Sequence, residues 1–173
     1  MDDIDNLNSL AIKYGADKWG KHHYTPYYAT LFENRKKVRK VIEMGTGEGA
    51  SLYMWRDFFP RAMIYGADID PTRVTSVLSR MKIIGCDQSK EGDLIHLIHK
   101  TGNDIDLFVD DGSHLPQDQL FTCLTVMPML RKDAIYVIED VADPTIKDHI
   151  LEYKCSLIRV GKRYDDQLII CRK

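Results

Sequence analysis

From Val38 onward, short β-branched and apolar runs alternate with helical patterns, which predicts a mainly parallel sheet covered on both faces. The runs Val38 to Glu43, Ala62 to Asp68, Lys82 to Cys86, Ile105 to Asp110 and Ala134 to Ile138 read as five strands. Each ends in a carboxylate or is followed directly by one. Between them, Ser51 to Phe59 sets Leu52, Trp55 and Phe59 on one helical face before Pro60. Glu91 to Lys100 reads as a helix closed by Gly102, and Pro116 to Met127 as another that stops at Pro128. Ser156 to Lys162 and Gln167 to Arg172, joined by Arg163 to Asp166, predict an antiparallel hairpin that closes the sheet. Ahead of the first strand, a helix is expected at Ile4 to Tyr14, a polar loop at Gly15 to His23 and a second helix at Tyr24 to Asn34.

At 173 residues the chain has room for one sizeable core and not for two ordinary domains. A single domain over 1–173 is therefore expected, with a helical segment at 1–37 packed on a core at 38–173. With 44% hydrophobic and 29% charged residues, the chain reads as a globular domain without a membrane span. The acidic start lacks the pattern of a signal peptide, so the cytoplasm is the expected compartment. A net charge of −2 and the absence of a long basic run argue against a grip on nucleic acid. Cys86, Cys123, Cys155 and Cys171 form no C-x-x-C pair and are expected to be reduced and mostly buried.

The turn Glu43-Met44-Gly45-Thr46-Gly47-Glu48-Gly49-Ala50-Ser51 leads from the first strand straight into a helix. Its alternating glycines let the backbone come close to a ligand, and Asp68, at the end of the second strand, can accept the hydroxyls of a ribose. Charge decides which cofactor fits: a pyrophosphate wants a helix N-terminus free of acids, whereas Glu43 and Glu48 suit the ammonium and sulfonium of S-adenosylmethionine. Asp87 and Gln88, after the third strand, suit the edge of an adenine ring; alternatively Asp87 caps the next helix.

Two acidic groups follow the fourth and fifth strands, Asp110-Asp111-Gly112-Ser113-His114 and Glu139-Asp140. Neighbouring strands lie about 4.8 Å apart, so these carboxylates converge if the two strands are adjacent. Converging carboxylates repel unless a cation sits among them, and an oxygen donor set favours Mg²⁺, Ca²⁺ or Mn²⁺ over zinc. The competing reading makes Asp110 or Asp111 a helix cap, Glu139 a partner of some lysine and His114 a turn residue.

The stretches Tyr14-Gly15-Ala16-Asp17-Lys18, His22-His23-Tyr24-Thr25-Pro26, Glu43 to Leu52, Gly66-Ala67-Asp68-Ile69-Asp70, Asp110 to His114 and Ile138-Glu139-Asp140, taken in order, resemble the metal-dependent sugar O-methyltransferases of macrolide biosynthesis. The resemblance implies a doubly wound, Rossmann-like α/β domain. It implies a Mg²⁺ site at Asp111, Glu139 and Asp140 and a general base at His114. The cofactor is then expected among Glu43, Gly45, Gly47, Ser51, Asp68, Asp87, Gln88 and Asp110, with Tyr24 near its methionine end or the acceptor. The loops Lys18 to Tyr24 and Val141 to Pro144 would wall the acceptor site. Methyl transfer to a hydroxyl of a small sugar, polyol or natural-product acceptor is the expected activity. A nicotinamide-dependent dehydrogenase and a cofactor-binding partner subunit are the alternatives, and a homodimer is the expected assembly.

Overall fold

A seven-stranded sheet in the order β3-β2-β1-β4-β5-β7-β6 organises the chain. The computed structural model describes residues 2–173. The strands are β1 (Lys40–Met44), β2 (Met63–Asp68), β3 (Met81–Gly85), β4 (Leu107–Asp110), β5 (Ile135–Ile138), β6 (Lys154–Arg159) and β7 (Gln167–Arg172). The helices are α1 (Asp3–Tyr14), α2 (Thr25–Thr30), α3 (Ala50–Phe58), α4 (Glu91–Thr101) and α5 (Pro116–Val126). β1 to β5 pair in parallel, and β7 inserts antiparallel between β5 and β6. The chain is thus of the α/β class, with the expected C-terminal hairpin.

Alternation along the strands sorts the apolar side chains onto two faces, as the period of two requires. Val41, Leu107, Val109, Ile135 and Val137 join α1, α2 and α3 in one core. Ile42, Phe108, Tyr136 and Ile138 join α4 and α5 in the other. The same parity places two acids: Glu43 lies on the face of Val41, and Asp110 on the face of Phe108.

The helix expected over Tyr24 to Asn34 is shorter, and α2 ends at Thr30. Asn34 accepts a hydrogen bond from the Lys36 amide and starts a separate 3-10 turn at Arg35–Lys37, while Phe32 packs edge-on against Phe59. No α-helix links β2 to β3: Pro71–Arg73 forms one 3-10 turn, and Arg80 ties the connection down by donating to the carbonyls of Arg56, Phe59 and Ala62.

The cysteine expectation holds for two residues and fails for two. Cys86 and Cys123 are free and buried. Cys155 and Cys171 form a disulfide, because the β6–β7 register sets them directly opposite each other with Cα atoms 4.1 Å apart. Their spacing along the chain carries no such signal; it emerges only once the hairpin register is fixed.

Candidate active site

β1 sends its connection to one side of the sheet and β4 lies on its other side, so the strand order reverses between them. At such a switch point the loops leaving the strand ends diverge and open a crevice. A cleft of about 680 Å³ lies there, lined by Gly45, Thr46, Gly47, Ser51, Asp68, Asp87, Gln88, Asp111 and His114, among others. Its charge is one-sided: Asp17, Glu48, Asp68, Asp87, Asp111 and Asp118 face it, against Arg73 as the one Lys or Arg.

The glycine turn is shaped by its neighbours. Gly45 has φ +81°, and a Cβ there would stand 1.9 Å from the Asp111 carbonyl oxygen, so only glycine lets the turn after β1 pass the end of β4. Asp68 fastens the turn: one oxygen accepts from the Thr46 and Gly47 amides at 2.8 and 3.2 Å, and the other from the Asp70 amide at 2.9 Å. Asp87 accepts from the Ser89 amide and hydroxyl and pairs with Lys90. It caps a turn and not α4, whose N-cap is Lys90.

Three residues expected at the cofactor do other work. Glu43 is fully buried, accepting from Ser51 Oγ at 2.8 Å and Trp55 Nε1 at 3.0 Å. Asp110 is also fully buried, since its strand parity turns it away from the cleft. It accepts from Tyr136 Oη at 2.9 Å and Gln88 Nε2 at 3.2 Å, and burial pushes its pKa up to about 7. Tyr24 is fully buried, donates to Asp140 Oδ1 at 2.6 Å and stacks on His22. Gln88 reaches the cleft but uses its amide as a brace: Nε2 donates to Asp110 and Thr122, and Oε1 accepts from the Ser113 amide at 2.7 Å. Both of its amide donors are thereby engaged, which leaves none for an adenine edge.

On the other side of the crevice, the ends of β4 and β5 bring together Asp111, His114 and Asp140. One donor atom from each lies within 4.8 Å of the others. His114 Nε2 stands 3.1 Å from Asp111 Oδ1, and Nδ1 stands 3.7 Å from Asp140 Oδ2. The hydrogen bond to Asp111 raises the His114 pKa against the opposing effect of burial, and the Asp140 charge adds to it. His114 and Asp140 have φ of +58° and +50°, and the one other such non-glycine among the described residues is Arg80. Strained backbone at both positions marks a place where orientation is held against local preference. Two carboxylates beside an imidazole, open to a water-filled cleft, fit the donor chemistry of Mg²⁺ or Mn²⁺.

Glu139, expected as a third ligand, points inward. Its oxygens take hydrogen bonds from Tyr28 Oη and from Lys18 Nζ at 2.6 Å. Lys18 is fully buried and also reaches Asp111 Oδ2 at 2.9 Å and Glu43 Oε1 at 3.1 Å. Burial opposes the Lys18 charge, but the three carboxylates outweigh it and hold the ammonium pKa well above its ordinary value. Burial likewise raises Glu139 and Glu43, while Asp111, with Lys18 and His114 at hand to offset its burial, stays below the ordinary carboxylate range. His22 pairs with Asp166 at 2.7 Å and lies 3.7 Å from Asp140. Sequence reasoning assigned no role to Lys18 or Tyr28. Lys18 was visible only as part of the Tyr14 to Lys18 stretch, and nothing local says where its side chain goes.

No family model matches the chain. In sequence it is 36% identical over 148 residues to the 8-demethyl-8-alpha-L-rhamnosyl tetracenomycin-C 2'-O-methyltransferase of Streptomyces olivaceus, covering 80% of this chain and 38% of that protein. It is 35% identical over 145 residues to the demethylmacrocin O-methyltransferase of Streptomyces fradiae, covering 79% and 36% respectively. In structure it superposes on MycE methyltransferase from the mycinamycin biosynthetic pathway, solved in complex with Mg, S-adenosylhomocysteine (SAH) and mycinamycin VI. The TM-score is 0.79 at 27% identity, over 96% of this chain and 54% of that one. The chain therefore spans little more than a third of the length of the curated relatives it matches.

Proposed function

We propose that this chain, a sequence relative of the macrocin- and mycinamicin-type sugar O-methyltransferases with their Rossmann-like fold, is the catalytic core of an S-adenosylmethionine-dependent, Mg²⁺-assisted O-methyltransferase. The acceptor in this reading is a hydroxyl of a sugar, polyol or other small natural product. The observation that carries it is the adjacency of two unlike sites in one crevice: an acidic cleft at a glycine turn, and an Asp111–His114–Asp140 cluster at its rim. Six carboxylates facing one arginine repel a pyrophosphate and suit a cofactor bearing an ammonium and a sulfonium. This disfavours the nicotinamide reading.

In the proposed mechanism, the backbone of Gly45 to Gly47 and the Asp68 carboxylate position the cofactor's methionine and ribose ends. Asp111 and Asp140 would hold the divalent cation. When bound, the cation lowers the pKa of an oxygen coordinated to it, as metals do for water. His114 takes the acceptor proton, its ring held by Asp111 Oδ1 at 3.1 Å and faced by Asp140. The remaining contribution is alignment: acceptor oxygen, methyl carbon and sulfur are held in line, so that an encounter of two molecules becomes a reaction within one complex.

Calorimetry with SAH and with NAD, followed by methyl transfer to a panel of glycosides with and without EDTA, tests the reading. SAH is expected to bind where NAD does not, and EDTA is expected to stop turnover while leaving SAH bound. NAD binding, or EDTA-resistant methyl transfer, overturns it. Among the described residues no helix is long and apolar enough to cross a membrane. A cytoplasmic location and a homodimer are proposed alongside, testable by fractionation and by light scattering on the purified chain.

A further inference from the structure

Lys18 is the one fully enclosed cation at the crevice to which the proposed reaction gives no task. We infer that Lys18 is a positioning residue, a built-in counter-cation that takes Glu139 out of the metal's ligand set and leaves Asp111 and Asp140 as the carboxylates presented to the ion. The inference rests on the proposed metal site and goes beyond it.

The geometry is a matched set of donors and acceptors. An ammonium has three N–H donors, and Lys18 Nζ has three carboxylate partners: Glu139 Oε2 at 2.6 Å, Asp111 Oδ2 at 2.9 Å and Glu43 Oε1 at 3.1 Å. What separates the three acids is the direction of their other oxygen. Glu43 Oε2 turns into the core toward Ser51 Oγ and Trp55 Nε1. Glu139 Oε1 turns into the core toward Tyr28 Oη. Asp111 Oδ1 alone turns outward, to His114 Nε2 at the mouth of the cleft. One ammonium thus fixes three carboxylates and leaves a single oxygen of the three on the reactive side.

Lys18 is held where it is by its own loop. α1 ends at Gly15 in the left-handed conformation, which turns the chain back toward the sheet. The Lys18 carbonyl accepts from the Tyr24 amide at 3.0 Å, and the Asp17 carbonyl from the His22 amide at 2.9 Å. These bonds close the loop over the lysine stem. Tyr24 in turn donates to Asp140, so the same loop orients the second outward carboxylate. A cation fixed next to Asp111 also repels any divalent ion bound there, which weakens resident binding. With two carboxylates from the protein, coordination positions stay free for water or for oxygens of the acceptor.

The test is Mn²⁺ binding to the chain free of cofactor and acceptor, read by the loss of the free-ion electron paramagnetic resonance signal. It compares wild type, Glu139→Gln, Asp111→Asn and Lys18→Met. Wild type is expected to bind one Mn²⁺, Asp111→Asn to lose affinity tenfold or more, and Glu139→Gln to lose less than tenfold. Lys18→Met, in protein with the circular dichroism of wild type, is expected to bind more tightly, the reverse of what a merely structural lysine gives. A loss of tenfold or more in Glu139→Gln overturns the inference alone, as does unchanged or weaker binding by folded Lys18→Met. Should Lys18→Met not fold, Glu139→Gln decides by itself, since it keeps the shape of the side chain. No Mn²⁺ binding by wild type overturns the metal site and, with it, this inference.

Discussion

The two sides of the crevice hold their carboxylates by different means. On the side of β1 to β3, Asp68 and Asp87 are satisfied by main-chain amides of the loops they border, those of Thr46, Gly47 and Asp70 for one and Ser89 for the other. On the side of β4 and β5, Asp111, Glu139 and Asp140 are satisfied by side chains of a segment about a hundred residues earlier: Lys18, Tyr28 and Tyr24. An acid held by amides is fixed by the strand-and-turn geometry that makes the fold. An acid held by remote side chains depends on individual residues, so its orientation and charge can be tuned one substitution at a time. The cofactor side is therefore expected to govern binding, and the side of β4 and β5 to govern chemistry.

The largest expected effect separates the two sides directly. His114→Ala should lower turnover by roughly 10²- to 10⁴-fold, the range for a lost general base, while calorimetry finds SAH affinity within twofold of wild type. Near-wild-type turnover would remove His114 from its role, and a collapse of SAH affinity would show that the two sides are not separable.

Next comes the contrast between neighbours Asp110 and Asp111. Burial raises Asp110 to about 7 from 3.8 in the unfolded chain, whereas Asp111 is held low by Lys18 and His114. A raised folded pKa means that the protonated form favours the fold, so the Asp110 contribution is fully present below about pH 4 and is lost as pH rises through 7. The gap corresponds to about 4 kcal/mol. Urea unfolding of wild type and Asp110→Asn should show stability differences that shift in favour of the variant between pH 4 and 8. A difference independent of pH would mean that Asp110 is ionised throughout.

Tyr24→Phe should cost about 2 kcal/mol of stability, because the buried Asp140 oxygen loses its donor. Turnover should fall with SAH affinity unchanged, as measured by calorimetry beside the methyl-transfer assay. A change confined to SAH affinity would return Tyr24 to the cofactor.

These differences also explain which parts the sequence disclosed. Strand ends, the glycine turn and the acids that follow each strand are local patterns, and they predict the α/β sheet and the crevice. Asp110 and Glu43 were misplaced because residue type was read without strand parity: Asp110 shares the face of Phe108, and Glu43 that of Val41. The Lys18 cluster and the Cys155–Cys171 bond lie beyond local pattern altogether, since each needs a register or a packing between distant segments. Tyr24 was recognised as important but attached to the wrong partner, for its hydroxyl meets an acid 116 positions away.

The smallest effect tests the amide-held side. Asp68 Oδ2 accepts from the Thr46 and Gly47 amides, and Oδ1 from the Asp70 amide. Asparagine keeps one acceptor oxygen and replaces the other with an NH₂ that faces a backbone donor, so one set of amides loses its partner. Part of the loss is relieved because the loop lies at the cleft edge, where water can reach the freed amide, leaving about 1 kcal/mol. Asp68→Asn should accordingly weaken SAH binding about fivefold and leave Mn²⁺ affinity at the opposite side untouched. If Mn²⁺ affinity falls as well, the turn after β1 and the end of β4, which touch at Gly45, act as one unit and the division between the two sides is lost.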